Sequence, residues 1–374
     1  MVRARQWRRI YSALLVMVLA LLPGVALAHV KWFSKFSFAN PPRTLDEVLT
    51  PIFWGLTVLS MVTIGSLVLI DRWLQERAWM RRLETWLTGY KPNSTTVVRI
   101  AIGATLLLAW NDDAFLVPEL HVDRPELGWA QFVLVLLLCF RFTTPLAGAG
   151  VLALYLYGLA AYGLFYMLDY LHFVGIGVYL LLSNVETLRL RAVRLPVLYA
   201  TIGLALIWLA LEKLVYPDWA LYVLQQNPQL SLGLPPGFFL QSAAFVEISL
   251  GYLLLLGLLS RPLALVITLV FFTTTLVFGK TEIIGHTTLH AALIVFLLNG
   301  AGTVYPTPIA FHRRLPLRIA FGAVNFALVL AVLLVIYQWG AWQQYQAQVT
   351  TVSAPALHFF YQTVDALKNQ ASLG

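Results

Sequence analysis

Ten apolar runs separated by short polar turns dominate the chain from residue 49 onward, at 49–70, 98–116, 128–141, 145–164, 167–184, 196–214, 238–259, 262–280, 285–299 and 317–338. Runs of this kind predict bilayer-crossing helices, because a hydrocarbon core of about 30 Å takes about 20 residues of helix. The 128–141 and 285–299 runs are short for a crossing and are expected to borrow flanking residues. Tight turns near Pro145, Arg261-Pro262 and Gly285 predict antiparallel neighbours. Ahead of the first run, Arg3, Arg5, Arg8 and Arg9 precede the apolar stretch 11–22 and then Pro23-Gly24-Val25-Ala26-Leu27-Ala28. That order of basic, apolar and Ala-x-Ala segments predicts a secretory signal cut after Ala28, with His29 as the new first residue. An uncleaved first span is the alternative.

Composition strengthens the membrane reading. The chain is 60% hydrophobic and 11% charged, with a mean hydropathy of +0.78, whereas a soluble domain carries about 25% charged residues. A single cysteine, Cys139, excludes an intrachain disulfide and a Cys-rich metal or iron–sulfur centre. The net charge of +8 is spread over helix edges and makes no nucleic-acid footprint. No Gly-rich nucleotide loop, His-Glu-x-x-His or Gly-x-Ser-x-Gly occurs, which argues against an ATP site or soluble hydrolase chemistry.

The charges also orient the chain. With residue 29 outside and strict alternation, Arg72, Arg77, Arg81, Arg82, Lys91, Arg99, Arg141, Arg189, Arg191, Arg194, Arg261, Arg313, Arg314 and Arg318 fall on the cytoplasmic side. Only Lys31, Lys35, Arg43, Arg124, Lys213, Lys280 and Lys368 fall outside. This positive-inside bias predicts ten spans in a bacterial inner membrane with both mature termini periplasmic. His29, His121, His172, His286, His290 and His358 then lie toward the outer face, and His312 alone lies inside.

The middle of the chain reads as a tandem repeat of four spans. Arg141-Phe142-Thr143-Thr144-Pro145-Leu146-Ala147 pairs with Leu259-Ser260-Arg261-Pro262-Leu263-Ala264, and Leu171-His172 pairs with Leu289-His290. An even number of spans per unit requires parallel units related by an axis near the membrane normal. Chance similarity between apolar helices is the competing explanation. The resulting organisation is a signal peptide (1–28), an N-terminal region with the first span (29–97), two four-span units (98–190 and 191–300), a cytoplasmic loop with the last span (301–339), and a periplasmic tail (340–374). The fold class is an all-α polytopic bundle.

Ionisable residues within apolar runs are costly and single out candidate sites. Glu247 sits near the middle of the 238–259 run, and Glu212 and Lys213 close the 196–214 run. Lys213 is placed to snorkel or to pair with Glu212 or Glu247. Glu282, His286 and His290 share a helix face if the helix starts by Glu282, which Gly285 leaves open. These groups suit hydrogen bonding to a quinone headgroup, metal binding or helix-to-helix bonding. Asp169 and His172 echo them in the first unit, whose counterpart of Glu247 is apolar. His29 as a free N-terminus can chelate copper through its amine and imidazole, with His121, Asp112, Asp113 or His358 as further ligands. Residue 29 following the cleavage site by accident is the bland alternative.

The stretch Ala210-Leu211-Glu212-Lys213-Leu214, then Phe245-Val246-Glu247 through Gly251, Leu256-Gly257-Leu258-Leu259-Ser260-Arg261-Pro262 and Leu289-His290 resembles the DoxX-like family. The likeness covers 194–300 and, more weakly, 99–184. That family comprises small four-span bacterial membrane proteins related to the small membrane subunit of thiosulfate:quinone oxidoreductase. The resemblance implies membrane redox or quinone chemistry beside a partner subunit, with Glu212, Lys213, Glu247 and Arg261 matching the family pattern. This chain departs from it in its two fused units, signal and extra spans. Three functions follow as expectations: a quinone-linked or redox-accessory protein using Glu247, His286, His290, Glu212 and Lys213; a copper or other metal handler using His29; and a structural subunit of a larger membrane complex.

Overall fold

The computed structural model describes residues 29–121, 124–301, 309 and 312–371, with side chains to residue 350. The expected signal peptide lies outside the described residues. Residues 29–50 form an N-terminal strap with a 3-10 turn at Val30–Trp32. Helices follow at α1 (Pro51–Gln75), α2 (Ala78–Thr88), α3 (Ser94–Asn111), α4 (Pro125–Cys139), α5 (Thr144–Tyr162), α6 (His172–Leu181), α7 (Leu188–Val215), α8 (Pro217–Gln226), α9 (Pro236–Leu256), α10 (Ser260–Phe278), α11 (Lys280–Asn299) and α12 (Leu315–Ala371).

Local sequence sets the helix ends. Proline at the first helical position opens α1, α4, α8 and α9, where no amide hydrogen is needed. The Thr50 side chain accepts a bond from Phe53 N at 3.3 Å and caps α1. Gly257 closes α9 in the left-handed conformation.

Among the described residues, eight helices are long and apolar enough to cross a membrane, or nine if a bent pair counts as one span. That pair, Leu164–Tyr170 and α6, occupies the expected 167–184 run and turns by 65° at its junction. The protein is thus an all-α polytopic membrane protein. The expected 128–141 run forms the 15-residue α4, shorter than a full crossing. The expected 285–299 run does borrow flanking residues: α11 begins at Lys280 and passes through Gly285 without a break. The last helix runs from Leu315 to Ala371, well beyond the expected 317–338.

Helices α7, α9 and α11 are 67% buried over their apolar windows, against 22% for α12, so these three form the centre. Neighbouring helices α3 and α4, α5 and α6, α7 and α9, and α10 and α11 pack together. Helix α6 also packs on α7, and α11 on α3. Outside this ring, α1 packs on α12 and α9. The tightest approach is between α7 and α9, where a Cβ on Gly203 would lie 2.7 Å from the Gly251 carbonyl oxygen. Small residues let membrane helices pack backbone to backbone, and dispersion replaces the missing hydrophobic drive. Gly251→Leu is therefore expected to lower stability by about 1–3 kcal/mol or more through overpacking, read as a reduced thermal unfolding midpoint in detergent. An unchanged midpoint would contradict this account of the helix pair.

Candidate functional site

The strap docks against α11, α8 and the Leu164–Tyr170 segment. Trp32 seats on α11 at Gly285, where a Cβ would come within 1.7 Å of the indole ring. Any larger residue there would expel the tryptophan. Phe38 packs edge-on against Phe165, Tyr166, Tyr216 and Trp219. These contacts carry His29 and Lys31 into the interior, where they are 6% and 4% exposed.

Lys31 bridges two carboxylates from distant parts of the chain. Its Nζ lies 2.5 Å from Asp169 Oδ2 and 2.7 Å from Glu212 Oε2, with the Tyr166 ring centroid at 4.8 Å. Burial alone would lower the Lys31 pKa, but the two carboxylates outweigh it and hold the ammonium above its ordinary value. The His29 ring is stacked between Trp32 (centroids 4.7 Å apart) and Tyr170 (5.2 Å). Burial, followed by the charge of Lys31, lowers its pKa well below the usual histidine value, leaving a neutral imidazole.

Glu119, in the loop after α3, completes the group. Its Oε1 accepts the hydroxyls of Tyr166, at 2.8 Å, and of Tyr170. Trp32 Nε1 donates in turn to the Tyr170 oxygen at 3.2 Å. Burial pushes the Glu119 carboxyl up to about 7, against the opposing pull of Lys31 and the two hydroxyls. One donor atom each from His29, Glu119 and Asp169 lie within 4.8 Å of one another. Ligands of a tetrahedral ion with bonds of about 2.1 Å sit roughly 3.5 Å apart, so shifts of about an ångström would close the group on a metal. Both His29 ring nitrogens, Glu119 Oε2 and Asp169 Oδ1 are buried without a hydrogen-bond partner. Each carboxylate thus has one oxygen committed to orientation and the other free.

A second layer of ionisable groups lies nearby. Lys213 pairs with Glu247 at 2.6 Å, the alternative to Glu212 that the sequence left open. His286 Nδ1 is 2.5 Å from Glu282 Oε2, which also accepts from Thr274 Oγ1 at 2.9 Å. The shared face of Glu282, His286 and His290 is real because α11 is helical from Lys280. Trp32 touches this layer through His286, at 5.2 Å between centroids.

The sequence-derived candidates divide accordingly. Glu212 joins Lys31, Lys213 and Glu247 form their own pair, and His286 borders the strap. His29 reaches the centre, but Asp112 pairs with Lys280 at 2.7 Å and His121 Nδ1 lies 3.1 Å from the Asp113 carbonyl oxygen. His358 lies outside the described side chains. Glu119 and Lys31 were not singled out from sequence, although an acid following Phe115-Leu116-Val117-Pro118 and a lysine two residues past His29 carried the signal.

Fold and site together define a polytopic helical membrane protein with a buried imidazole and carboxylate cluster able to hold a metal or polar ligand. The DoxX family profile matches residues 198–280, from within α7 to the start of α11. No curated protein and no solved structure matches the chain.

Removing Lys31 would leave Asp169 and Glu212 facing each other without a cation. Lys31→Met is expected to destabilise the bundle by about 3–5 kcal/mol, with Lys31→Met/Asp169→Asn recovering part of the loss in detergent thermal unfolding. Equal stability of wild type and the single variant would show that the bridge is not formed.

Proposed function

We propose that this protein binds a transition-metal ion, copper in the first instance, through His29, Glu119 and Asp169 near the outer face of a bacterial inner membrane. The observation that carries the reading is the set of free, buried donor atoms on those three side chains, each held by neighbours through another atom or a stacked ring. Metal ligands are oriented in this way by the groups behind them. The imidazole is neutral, as coordination requires. One nitrogen and two oxygens accept several divalent ions, and the Irving–Williams order favours copper among them. Cleavage after Ala28 would add the His29 amine as a second nitrogen and strengthen that preference. The ten-span topology with periplasmic termini and the paired four-span units belong to the same reading. The basic-residue asymmetry supports the topology, and the reciprocal packing of α6 on α7 and α11 on α3 supports the pairing.

The full chain, purified without chelators and loaded with Cu(II), is expected to retain about one equivalent by elemental analysis. His29→Ala, Glu119→Gln and Asp169→Asn are each expected to lower affinity by about tenfold or more. Intact mass reports whether the chain begins at His29. Loaded wild type carrying no metal above background, or variants retaining as much as wild type, would refute the proposal. Protons compete with the metal for the Glu119 carboxylate below its pKa of about 7. Affinity is therefore expected to fall with acidification by up to roughly tenfold per pH unit, and Glu119→Gln should flatten that dependence in a competition titration.

A quinone-binding reading rests on a different residue. His290 has a buried Nδ1 without a partner and lies against Phe271 and Phe272, the latter 55% exposed on the outside of the bundle. A quinone carbonyl arriving from the lipid side would find a hydrogen-bond donor there. Co-purifying quinone that His290→Leu removes would support this reading; wild-type protein extracted under mild conditions with no quinone would end it.

A further inference from the structure

Helix α2 has an aromatic stripe that the bundle does not cover. Trp79, Leu83 and Trp86 are 53%, 37% and 60% exposed, and their spacing of four and three residues sets them on one face. Tyr90, 45% exposed and just past the helix end, packs edge-on against Trp86 at 5.2 Å. Met80 and Leu87, both buried, and Glu84 form the adjacent face, about 100° round the helix. That second face meets the bundle: α2 packs on α11, and Glu84 Oε1 accepts from Arg261 Nη1 at 2.6 Å.

The anchors of α2 fix its course. It begins three residues after the end of α1 and leads through Lys91–Asn93 into α3. Its middle is tied to Arg261 at the start of α10, while Asp71 near the end of α1 accepts from Leu259 N at 3.0 Å. Asn299, at the end of α11, donates to Ser94 Oγ at 3.0 Å. Ends of four long helices therefore meet along α2. A helix pinned to span ends at its start, middle and finish runs across the end of the bundle, at headgroup depth. Arg77, Arg81 and Arg82 are all exposed on or beside it. Arg77 sits 4.2 Å from the Trp73 ring centroid, and Arg81 Nη1 donates to the Glu76 carbonyl oxygen at 2.8 Å.

We infer that α2 is an interfacial anchor that binds anionic phospholipid headgroups of the leaflet in which it lies, with its aromatic stripe in the acyl boundary and its arginines on the phosphates. Tryptophan and tyrosine favour the interface because one end of each ring is apolar and the other wet. Basic residues at this depth are attracted to anionic lipid. A soluble protein partner would not explain why the exposed stripe begins where a span ends.

The test uses the full chain with Cys139→Ser and Leu83→Cys, labelled at residue 83 with an environment-sensitive fluorophore and placed in nanodiscs of phosphatidylcholine with phosphatidylglycerol. The label is expected to be quenched by nitroxide-bearing acyl chains and shielded from aqueous iodide, relative to the same label at Lys35→Cys. In native mass spectra, the Arg77→Gln/Arg81→Gln/Arg82→Gln variant should retain several-fold less phosphatidylglycerol than wild type. Free access of iodide, shielding from both quenchers as under a protein partner, or unchanged lipid retention would each overturn the inference. Copper binding is independent of all these outcomes.

Discussion

The Lys31 ammonium is the constraint on which the interior depends. It neutralises Asp169, in the Leu164–Tyr170 segment, and Glu212, near the end of α7. Among the described residues neither carboxylate has another cation as close, and two such acids facing each other in a dry interior would be strongly unfavourable. The bridge therefore couples three things: the docking of the strap, the approach of the Leu164–Tyr170 segment to α7, and the charge state of the site. Trp32 depends on the same docking, since its ring fills the notch that Gly285 leaves on α11.

The cluster divides labour within each side chain. Asp169 gives one oxygen to Lys31 and keeps the other free, and Glu119 gives one to two tyrosines and keeps the other free. His29 is held by stacking, which consumes neither nitrogen. The atoms that orient these side chains thus differ from the ones left free, as a preorganised site requires. The second layer is more self-contained. Lys213 pairs with Glu247, and Glu282 with His286 on the same helix and with Thr274 of α10, while Glu247 Oε1 and Glu282 Oε1 are left without a hydrogen-bond partner.

Much of the fold was legible in the chain because helix crossings demand long apolar runs, and those runs set the helices in order. The places where sequence misled are places where length alone does not decide. Gly285 looked like a helix start but lies inside α11, since a glycine within a helix is tolerated when a bulky neighbour needs its space. The break before His172 has no proline to announce it. The site was legible in part. His29 stood out through the cleavage motif and Glu247 through the cost of its depth, and Asp169 registered only as a weak echo. Glu119 escaped because it lies in a loop, where an acid is ordinary. Only the folded chain shows that two tyrosines of the Leu164–Tyr170 segment close over it. The pairing of His29 with Asp169 also crosses a wide gap in sequence, which no local pattern encodes.

That wide gap has a consequence for the order of assembly. Lys31 and Asp169 are separated by 138 positions, and Glu212 comes later still. During synthesis the strap emerges before the helices it docks on, and its binding notch exists only after α7 and α11 have been inserted. Contacts between distant parts of a chain form late because loop closure must precede them. A segment made before every helix of the bundle is therefore among the last to be buried, and His29 reaches its carboxylate partners only in molecules whose α7 and α11 are already in place. Readiness to take up an ion would then mark a finished polypeptide, without a separate checkpoint.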